Sequence, residues 1–210
     1  MARCRPMSTL ILIRHGQSQW NAENRFTGWV DTPLSEEGRA EAKRAGERLA
    51  QRGIHVDRAF TSTLQRAIET GRIVLDQLDQ GDLEQVQAWE LNERFYGALT
   101  GRNKAQTAEE FGAEQVHIWR RSYDIPPPGG ESLADTWRRA LPYFRAEIVP
   151  ATREVDVVLV SAHGNSLRAI VKDLDGISDA DIPDLEIATG VPIVYQMRDG
   201  RPTGKEILDT

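Results

Sequence analysis

The stretch Leu10-Ile11-Leu12-Ile13-Arg14-His15-Gly16-Gln17-Ser18-Gln19-Trp20-Asn21 carries an apolar run directly into a polar loop. Four consecutive apolar residues leave no polar side, so residues 10–13 are predicted to form a strand buried on both faces of an α/β sheet. Ligands of such sheets bind beyond the carboxyl ends of the strands, where Arg14 and His15 lie. A neutral imidazole can attack phosphorus, and a guanidinium beside it can hold phosphoryl oxygens. The alternative is that His15 only caps the strand.

A second His-Gly pair stands in the same setting. Residues 155–160 form the clearest predicted strand and lead into His163-Gly164, after which helical spacing begins. The strand predicted at residues 56–61 leads in the same way to Arg66, in the first turn of a helix, where backbone amides attract anions. An isolated arginine is more often a solvated surface residue. Two His-Gly pairs that follow strands nevertheless indicate one site at the edge of a sheet.

The amino-acid composition limits the classes of protein to which the chain can belong. The chain has 210 residues, of which 40% are hydrophobic and 28% charged, as is typical of a soluble globular protein. We interpret residues 1–210 as one domain. The net charge of −6 argues against a nucleic-acid surface. Cys4 is the only cysteine and no histidines have a metal-binding spacing, so neither a disulfide nor a metal site is predicted.

The beginning of the chain raises the question of targeting. No apolar stretch approaches the length of a membrane span, and Arg14 interrupts the first apolar stretch too early for a signal peptide. A cytoplasmic protein without a membrane partner is therefore expected. An alternative start at Met7 would leave residues 1–6 as a disordered extension.

The remaining pattern predicts an alternation of helices and strands. Helices are expected from Ser35 to Gly53, over residues 64–78, from Ser132 to residue 148 with a kink at Pro142, and over residues 167–174. Residues 84–86 are a short strand and residues 192–197 the last strand. Residues 84–124 lack a clear period, which favours a functional excursion over the sheet. The proline-rich residues 126–130 are interpreted as a stiff turn.

These residues suggest phosphoryl transfer. His15 is the candidate nucleophile for in-line attack, and Arg14, Arg66 and His163 can neutralise the three equatorial oxygens of the transferring group. Glu93, which lies among aromatic residues, is the candidate proton donor to the leaving oxygen. Asn21 and the amide of Gly164 complete the expected phosphate cradle. His55 and His117 lack a glycine-turn context and are interpreted as structural.

Over nearly its whole length the chain resembles the cofactor-dependent phosphoglycerate mutases of the histidine phosphatase superfamily. Arg-His-Gly and the second histidine indicate only the superfamily, whereas the blocks around Glu93 and Arg120 indicate the mutase branch. The resembling blocks are Arg14-His15-Gly16 through Asn21, Thr27-Gly28-Trp29, Leu91-Asn92-Glu93-Arg94-Phe95-Tyr96-Gly97, Trp119-Arg120-Arg121-Ser122-Tyr123-Asp124, Gly130-Glu131-Ser132-Leu133 and Ala162-His163-Gly164-Asn165-Ser166-Leu167-Arg168.

The resemblance implies a three-layer α/β/α sandwich on a six-stranded, mostly parallel mixed sheet. It also implies interconversion of 3-phosphoglycerate and 2-phosphoglycerate in glycolysis and gluconeogenesis, primed by 2,3-bisphosphoglycerate and independent of metal. By this resemblance His15 is the phosphorylated nucleophile and Glu93 the acid and base, while Arg14, Arg66 and His163 bind the phosphoryl group. The residues expected to line the same pocket are Ser18, Asn21, Thr27, Gly28, Gly164 and Asn165.

Tyr96, Lys104, Arg120 and Arg121 are expected, from the same resemblance, to hold the carboxylate and the other phosphate of the substrate. A second cationic subsite makes independent sense, because a mutase must bind a doubly phosphorylated intermediate and a simple phosphatase need not. Two alternatives stay open: a histidine-type phosphatase acting on a small phosphorylated metabolite, and a non-catalytic protein that binds a phosphorylated ligand.

The chain departs from the longer members of this family in two places. It lacks their insertion between the proline-rich turn and Gly130-Glu131-Ser132-Leu133, and it ends soon after the last predicted strand, where they carry a tail over the site. Because such covers exclude water, a shorter one is hypothesised to increase hydrolysis of the intermediate. The departures also leave open whether the chain forms a homodimer or a homotetramer.

Overall fold

The apolar run at residues 10–13 lies near the centre of a six-stranded sheet. The computed structural model describes residues 7–209, so the predictions for residues 1–6 and for Cys4 fall outside the described residues. The strands are β1 (Ser8–Arg14), β2 (Arg58–Thr61), β3 (Gln85–Gln87), β4 (Val157–Ala162), β5 (Pro192–Arg198) and β6 (Arg201–Ile207). Across the sheet they follow the order β3-β2-β4-β1-β5-β6.

The sheet is mixed and mostly parallel, as expected. β3, β2, β4 and β1 pair in parallel, whereas β5 pairs antiparallel with β1 and with β6. In the register of β1 and β4, Arg14 lies opposite Ala162, so His15 and His163 each follow a paired residue. The register therefore brings the two histidines together at the carboxyl ends of the two central strands.

Helices cover both faces of the sheet, and the three-layer prediction is confirmed. They are α1 (Gln19–Ala22), α2 (Glu36–Gln51), α3 (Gln65–Asp76), α4 (Lys104–Phe111), α5 (Ala113–Arg121), α6 (Leu133–Tyr143), α7 (Val149–Glu154) and α8 (Gly164–Asp175). Ile11 and Ile13 pack into a cluster with α2 and α3, whereas Leu10 and Leu12 pack into a cluster with α6 and α8. Because alternate residues of a strand point to opposite faces, β1 needs an unbroken apolar run.

Two helices begin at the capping residues that the sequence predicts. The Ser35 side chain accepts a hydrogen bond from the amide of Gly38, and α2 begins there as predicted. Ser132 and Asp135 form a capping box at the start of α6.

Two residues after Pro142, the chain changes to π-helical geometry over Phe144–Ile148. The nitrogen of Pro142 cannot donate a hydrogen bond to the carbonyl of Arg138, so the α-helical hydrogen bonding is interrupted one turn before Pro142.

One sequence prediction was wrong. Residues 192–197 are not the last strand, because β6 pairs with β5 after a turn in which Asp199 and Gly200 both have positive φ. β6 has exposed polar residues, Pro202 and Gly204, so its composition does not indicate a strand. Residues 84–124 contain α4 and α5, which the sequence did not predict, and Leu99 and Val116 of this stretch pack with Phe26 in a small apolar cluster.

The loop after β1 packs against the start of α2 through two glycines. A Cβ on Gly16 would lie 2.1 Å from the carbonyl oxygen of Gly38, and one on Gly38 would lie 2.0 Å from that of Gln17. We expect Gly16→Ala and Gly38→Ala each to lower the free energy of unfolding by about 1–3 kcal/mol, because backbone must move to admit the methyl group. Urea denaturation measures this change.

Gly204→Ala is the matched control for this prediction. Its Cβ would meet only Gln196 side-chain atoms at 3.7 Å, so we expect a change within about 0.5 kcal/mol. Equal stability of Gly16→Ala and Gly204→Ala would contradict the close packing described here.

Candidate active site

Two buried histidines form the centre of the site. The amide of His15 donates to the carbonyl oxygen of Ala162 at 2.9 Å, which joins the loop after β1 to the end of β4. The ring centroids of His15 and His163 are 4.9 Å apart, and the rings are inclined by 61°. Both side chains are buried. The site therefore forms where the two central strands end.

The hydrogen bonds of His15 identify Nε2 as its unprotonated ring nitrogen. Nδ1–H donates to the carbonyl oxygen of Gly16 at 2.6 Å, and Nε of Arg66 donates to Nε2 at 3.3 Å. Burial, with the charges of Arg66 and Arg14, holds the pKa of His15 well below its usual value. The ring is therefore neutral, and Nε2 is the nitrogen available for nucleophilic attack.

Arg66 is held rigidly beside this nitrogen. Its NH1 donates to the carbonyl oxygen of Val30 at 2.9 Å and its NH2 to that of Gly28 at 2.7 Å. Burial lowers the pKa of Arg66 to about 10, so the guanidinium is still charged at neutral pH. Arg14 donates through NH1 to the carbonyl oxygen of Ile187 at 2.8 Å, and its Nε is buried with no partner among the described residues. Two guanidinium groups thus flank His15.

His163 has one occupied and one unoccupied ring nitrogen. Nε2 lies 2.7 Å from Oγ of Ser62, whereas Nδ1 is buried and has no hydrogen-bond partner among the described residues. Burial is the largest cause that lowers the pKa of His163, and the charge of Arg66 adds to it. A buried polar atom without a partner is costly, and a bound anion could satisfy it.

Glu93 has one oxygen that is fully occupied and one that is not. Oε1 accepts hydrogen bonds from the amides of Arg94 and Asn165 and from Nδ2 of Asn165, at 2.7, 3.1 and 2.9 Å. Oε2 accepts none from the described residues. A Cβ on Gly164 would lie 3.4 Å from Nε of Arg14 and 3.7 Å from Oε2 of Glu93, so Gly164 keeps the space beside both groups open.

The backbone of Glu93 is also fixed. Its carbonyl oxygen accepts from NH2 of Arg139 at 2.9 Å and from the indole N–H of Trp29 at 2.5 Å. Arg139 itself forms an ion pair with Glu131. The carboxyl group is therefore anchored both through its own oxygen and through its main chain.

A polar cavity of about 270 Å³ opens onto these groups. Lys104 on its wall has its pKa lowered to about 8, chiefly by burial and then by the charges of Arg120 and Arg14. An anion in the cavity would relieve this repulsion. The predicted site residues that line the cavity are Arg14, His15, Asn21, Thr27, Gly28, Arg66, Glu93, Tyr96, Lys104, Arg120, Arg121, Gly164 and Asn165.

Two predicted site residues do not line the cavity. His163 is buried next to His15, and Ser18 is the N-cap of α1, where its side chain accepts from the amide of Asn21. Sequence reasoning missed Ser62, Arg168 and Glu186. Ser62 directly follows β2, which could have been noticed; Arg168 is one turn beyond Gly164 on α8; nothing in the sequence distinguished Glu186 from a solvated glutamate.

The described residues contain no cluster of three or more histidine, cysteine, aspartate or glutamate side chains arranged to hold a metal ion. Over residues 7–209, no helix combines the length and hydropathy needed to cross a bilayer.

The two buried histidines make folding stability dependent on pH. Both folded-state pKa values lie below the unfolded value of about 6.5, so the unfolded chain binds more protons as pH falls. The stability that depends on their neutral state is fully present above pH 6.5 and is lost below it. The free energy of unfolding then decreases with a slope of up to about 2.7 kcal/mol per pH unit for two protons. Urea denaturation between pH 7.5 and 5 measures the slope, and we expect His15→Asn to reduce it. Equal slopes would contradict a neutral buried His15.

Comparisons with known proteins agree with this geometry. The family model of the histidine phosphatase superfamily (branch 1) matches residues 10–210. The chain is 54% identical over 200 residues to a 2,3-bisphosphoglycerate-dependent phosphoglycerate mutase of Parvibaculum lavamentivorans, and 53% identical over 201 residues to a phosphoglycerate mutase of Schizosaccharomyces pombe; each comparison covers 95% of both chains. A solved mycobacterial glucosyl-3-phosphoglycerate phosphatase is 25% identical with a TM-score of 0.80, covering 96% of this chain and 97% of that one.

Proposed function

Because this chain belongs to the histidine phosphatase superfamily, we propose that it interconverts 3-phosphoglycerate and 2-phosphoglycerate, as a 2,3-bisphosphoglycerate-dependent mutase of glycolysis and gluconeogenesis. The observation that carries the proposal is a second group of cations in the cavity that contains His15. Lys104, Arg120 and Arg121 lie there in addition to Arg14 and Arg66. Phosphoryl transfer to a histidine requires only Arg14 and Arg66. The extra cations suit a ligand with a second anionic group, such as a carboxylate or another phosphate.

His15 acts as the nucleophile in this proposal. Nε2 forms a bond to phosphorus while the bond between phosphorus and the glycerate oxygen breaks, and Glu93 supplies a proton to that oxygen. In the opposite direction Glu93 takes the proton of the glycerate hydroxyl, and the phosphoryl group leaves Nε2. The Oε2 atom of Glu93 suits this role, since Oε1 is already occupied by three N–H donors.

The hydrogen-bond donors around His15 stabilise the transferring phosphoryl group. Arg66 is prepositioned by two carbonyl oxygens, and Nε of Arg14 and Nδ1 of His163 are buried donor sites without partners among the described residues. Groups that need no rearrangement stabilise developing charge most effectively, because no reorganisation is needed during the reaction. We assign Asn21, Thr27, Gly28, Gly164 and Asn165 to the same phosphoryl cradle.

The residues present fit a bisphosphorylated primer. The cavity is lined by Arg14 and Arg66 beside His15 and also by Lys104, Arg120 and Arg121. An anion would reduce the repulsion from Arg120 and Arg14 that adds to burial in lowering the pKa of Lys104. Bound 2,3-bisphosphoglycerate supplies the phosphoryl group that first converts His15 to phosphohistidine. We assign Tyr96, Lys104, Arg120 and Arg121 to the glycerate carboxylate and the second phosphate. We further propose a cytoplasmic enzyme that needs no metal and forms a homodimer or a homotetramer.

A phosphatase is the second candidate, because the solved structure described above is of a phosphatase. The relatives with more than half of their residues identical are mutases. The two activities differ in whether the phosphoryl group of His15 passes to a glycerate hydroxyl or to water. The arginines of the second subsite favour retention of the glycerate and therefore the mutase.

The test supplies 3-phosphoglycerate with a trace of 2,3-bisphosphoglycerate in the presence of a chelator. 2-Phosphoglycerate and free phosphate are followed together. We expect isomerisation to exceed phosphate release by a large factor, with dependence on the bisphosphate. Phosphate release as the dominant reaction would support the phosphatase instead. No turnover of either kind would overturn both, and would leave a phospholigand-binding protein.

A further inference from the structure

A segment before β5 contributes to the cavity wall. Leu185, Glu186, Ile187 and Ala188 all line the cavity. NH2 of Arg168 donates to the carbonyl oxygen of Ile182 at 2.6 Å, and NH1 of Arg14 donates to that of Ile187 at 2.8 Å. Two arginines of the cavity thus hold the main chain on either side of Glu186, at Ile182 and at Ile187.

The Glu186 side chain approaches the cations of the second subsite. Its carboxylate forms a hydrogen-bonded ion pair with NH2 of Arg121. The Arg121 side chain is 26% exposed and the Glu186 side chain 74% exposed. The hydrogen bond from Arg121, together with the charges of Arg14 and Arg120, keeps the pKa of Glu186 below its usual value. A carboxylate of the chain itself therefore pairs with one of the guanidinium groups that the proposed function assigns to substrate.

We propose that Glu186 is a specificity-determining residue that competes with the ligand for Arg121. This inference rests on the proposed function, in which Arg121 binds the substrate carboxylate or the second phosphate. The Glu186 carboxylate must release Arg121 before that anionic group can bind, and after release it remains near the cavity as a negative charge. Its repulsion grows with the charge of the ligand, so it weakens binding of a bisphosphate more than binding of a monophosphate.

The exposure of this pair suits tuning more than blocking. Exposed ion pairs contribute little free energy, so ligand can displace Glu186 readily. A ligand with two phosphates is retained less tightly than the cationic cavity alone would allow. Glu186 therefore acts on the balance between the primer and the monophosphorylated substrates. The Glu186 carboxylate affects the cations that lie near Arg121, whereas cations of the cavity farther from Arg121 are unaffected.

The experiment compares Glu186→Gln with unmodified protein. Affinities are measured by titration calorimetry in a His15→Asn background, which prevents phosphoryl transfer during the titration, and KM values are measured with His15 intact. At low ionic strength we expect Glu186→Gln to lower the Kd of 2,3-bisphosphoglycerate about three- to tenfold. We expect a smaller decrease for 3-phosphoglycerate. Both effects should shrink at 0.5 M salt, because salt screens exposed charges.

Glu206→Gln is the matched control. Glu206 is also an exposed glutamate in an ion pair with an arginine, Arg52, but neither residue lines the cavity. The control removes the same charge and should leave both affinities unchanged. A similar gain in affinity from Glu206→Gln would mean that overall charge is responsible, and would overturn the proposal.

A double-mutant cycle with Arg121→Gln tests whether the effect passes through Arg121. We expect Glu186→Gln to lose most of its effect when Arg121 is already replaced. An undiminished effect would overturn competition for Arg121. If the unmodified enzyme isomerises phosphoglycerate and Glu186→Gln binds both ligands with unchanged affinity, this inference alone fails. If the unmodified enzyme neither turns over nor binds 2,3-bisphosphoglycerate, the proposed function fails and the inference falls with it.

Discussion

His15→Asn is expected to abolish phosphoglycerate isomerisation, with a decrease in kcat of about ten thousandfold to a millionfold. The physical reason is the state of the ring. Nδ1–H is committed to the carbonyl oxygen of Gly16, and the lowered pKa keeps Nε2 unprotonated. An asparagine amide nitrogen has no comparable lone pair, so no phosphoryl group can be transferred to the side chain. Incubation with 2,3-bisphosphoglycerate should then leave no acid-labile phosphate on the protein.

His117→Asn is the control for this variant. His117 is exposed on α5 and does not line the cavity, so its replacement should preserve both turnover and phosphorylation. Acid-labile phosphate that persists in His15→Asn would show that another residue accepts the phosphoryl group, and the assignment of His15 would then be wrong.

Glu93→Gln is expected to lower kcat about a hundredfold to ten-thousandfold, with a small change in KM. The amide oxygen can still accept the hydrogen bonds from the backbone amides of Arg94 and Asn165, so the loop should keep its position. The amide nitrogen takes the place of Oε2 and can neither release nor accept the reacting proton. The loss should therefore concern proton transfer and leave binding nearly intact.

The leaving group separates this role from a structural one. With p-nitrophenyl phosphate, whose leaving group needs no proton, Glu93→Gln should phosphorylate His15 at nearly the rate of the unmodified enzyme. Glu90→Gln is the matched control in the same loop, and its carboxylate makes no contact with the cavity. An equal loss of rate with both substrates would contradict the acid and base role of Glu93.

Much of the sheet could be predicted because burial has a strong signature. The run of residues 10–13 must serve apolar clusters on both faces, and such a run is hard to place anywhere except in a central strand. The two His-Gly pairs were predicted to meet, and the register of β1 and β4 places their histidines side by side. The assignment of residues 1–210 to a single domain stays a prediction.

What the sequence did not reveal depends on contacts between distant residues. β6 is exposed along most of its length and is stabilised by its hydrogen bonds to β5, so it has no apolar pattern to recognise. The ion pair of Glu186 with Arg121 joins residues 65 positions apart. Ser62 contacts His163 across 101 positions. Such partners have ordinary sequence surroundings, and only the folded chain identifies them.

The position of β1 in the sheet has a consequence for how the protein is made. β1 leaves the ribosome first among the strands, yet its two hydrogen-bonding neighbours are β4 and β5, which begin about 140 and 180 residues later. At translation rates of about 5–20 residues per second, β1 therefore remains unpaired for roughly 7–30 s before β4, the first of these partners, is made. During this interval the nascent chain presents an unpaired apolar strand, which chaperones recognise and which other chains can pair with. The two histidines of the candidate site consequently come together only after β4 has been synthesised.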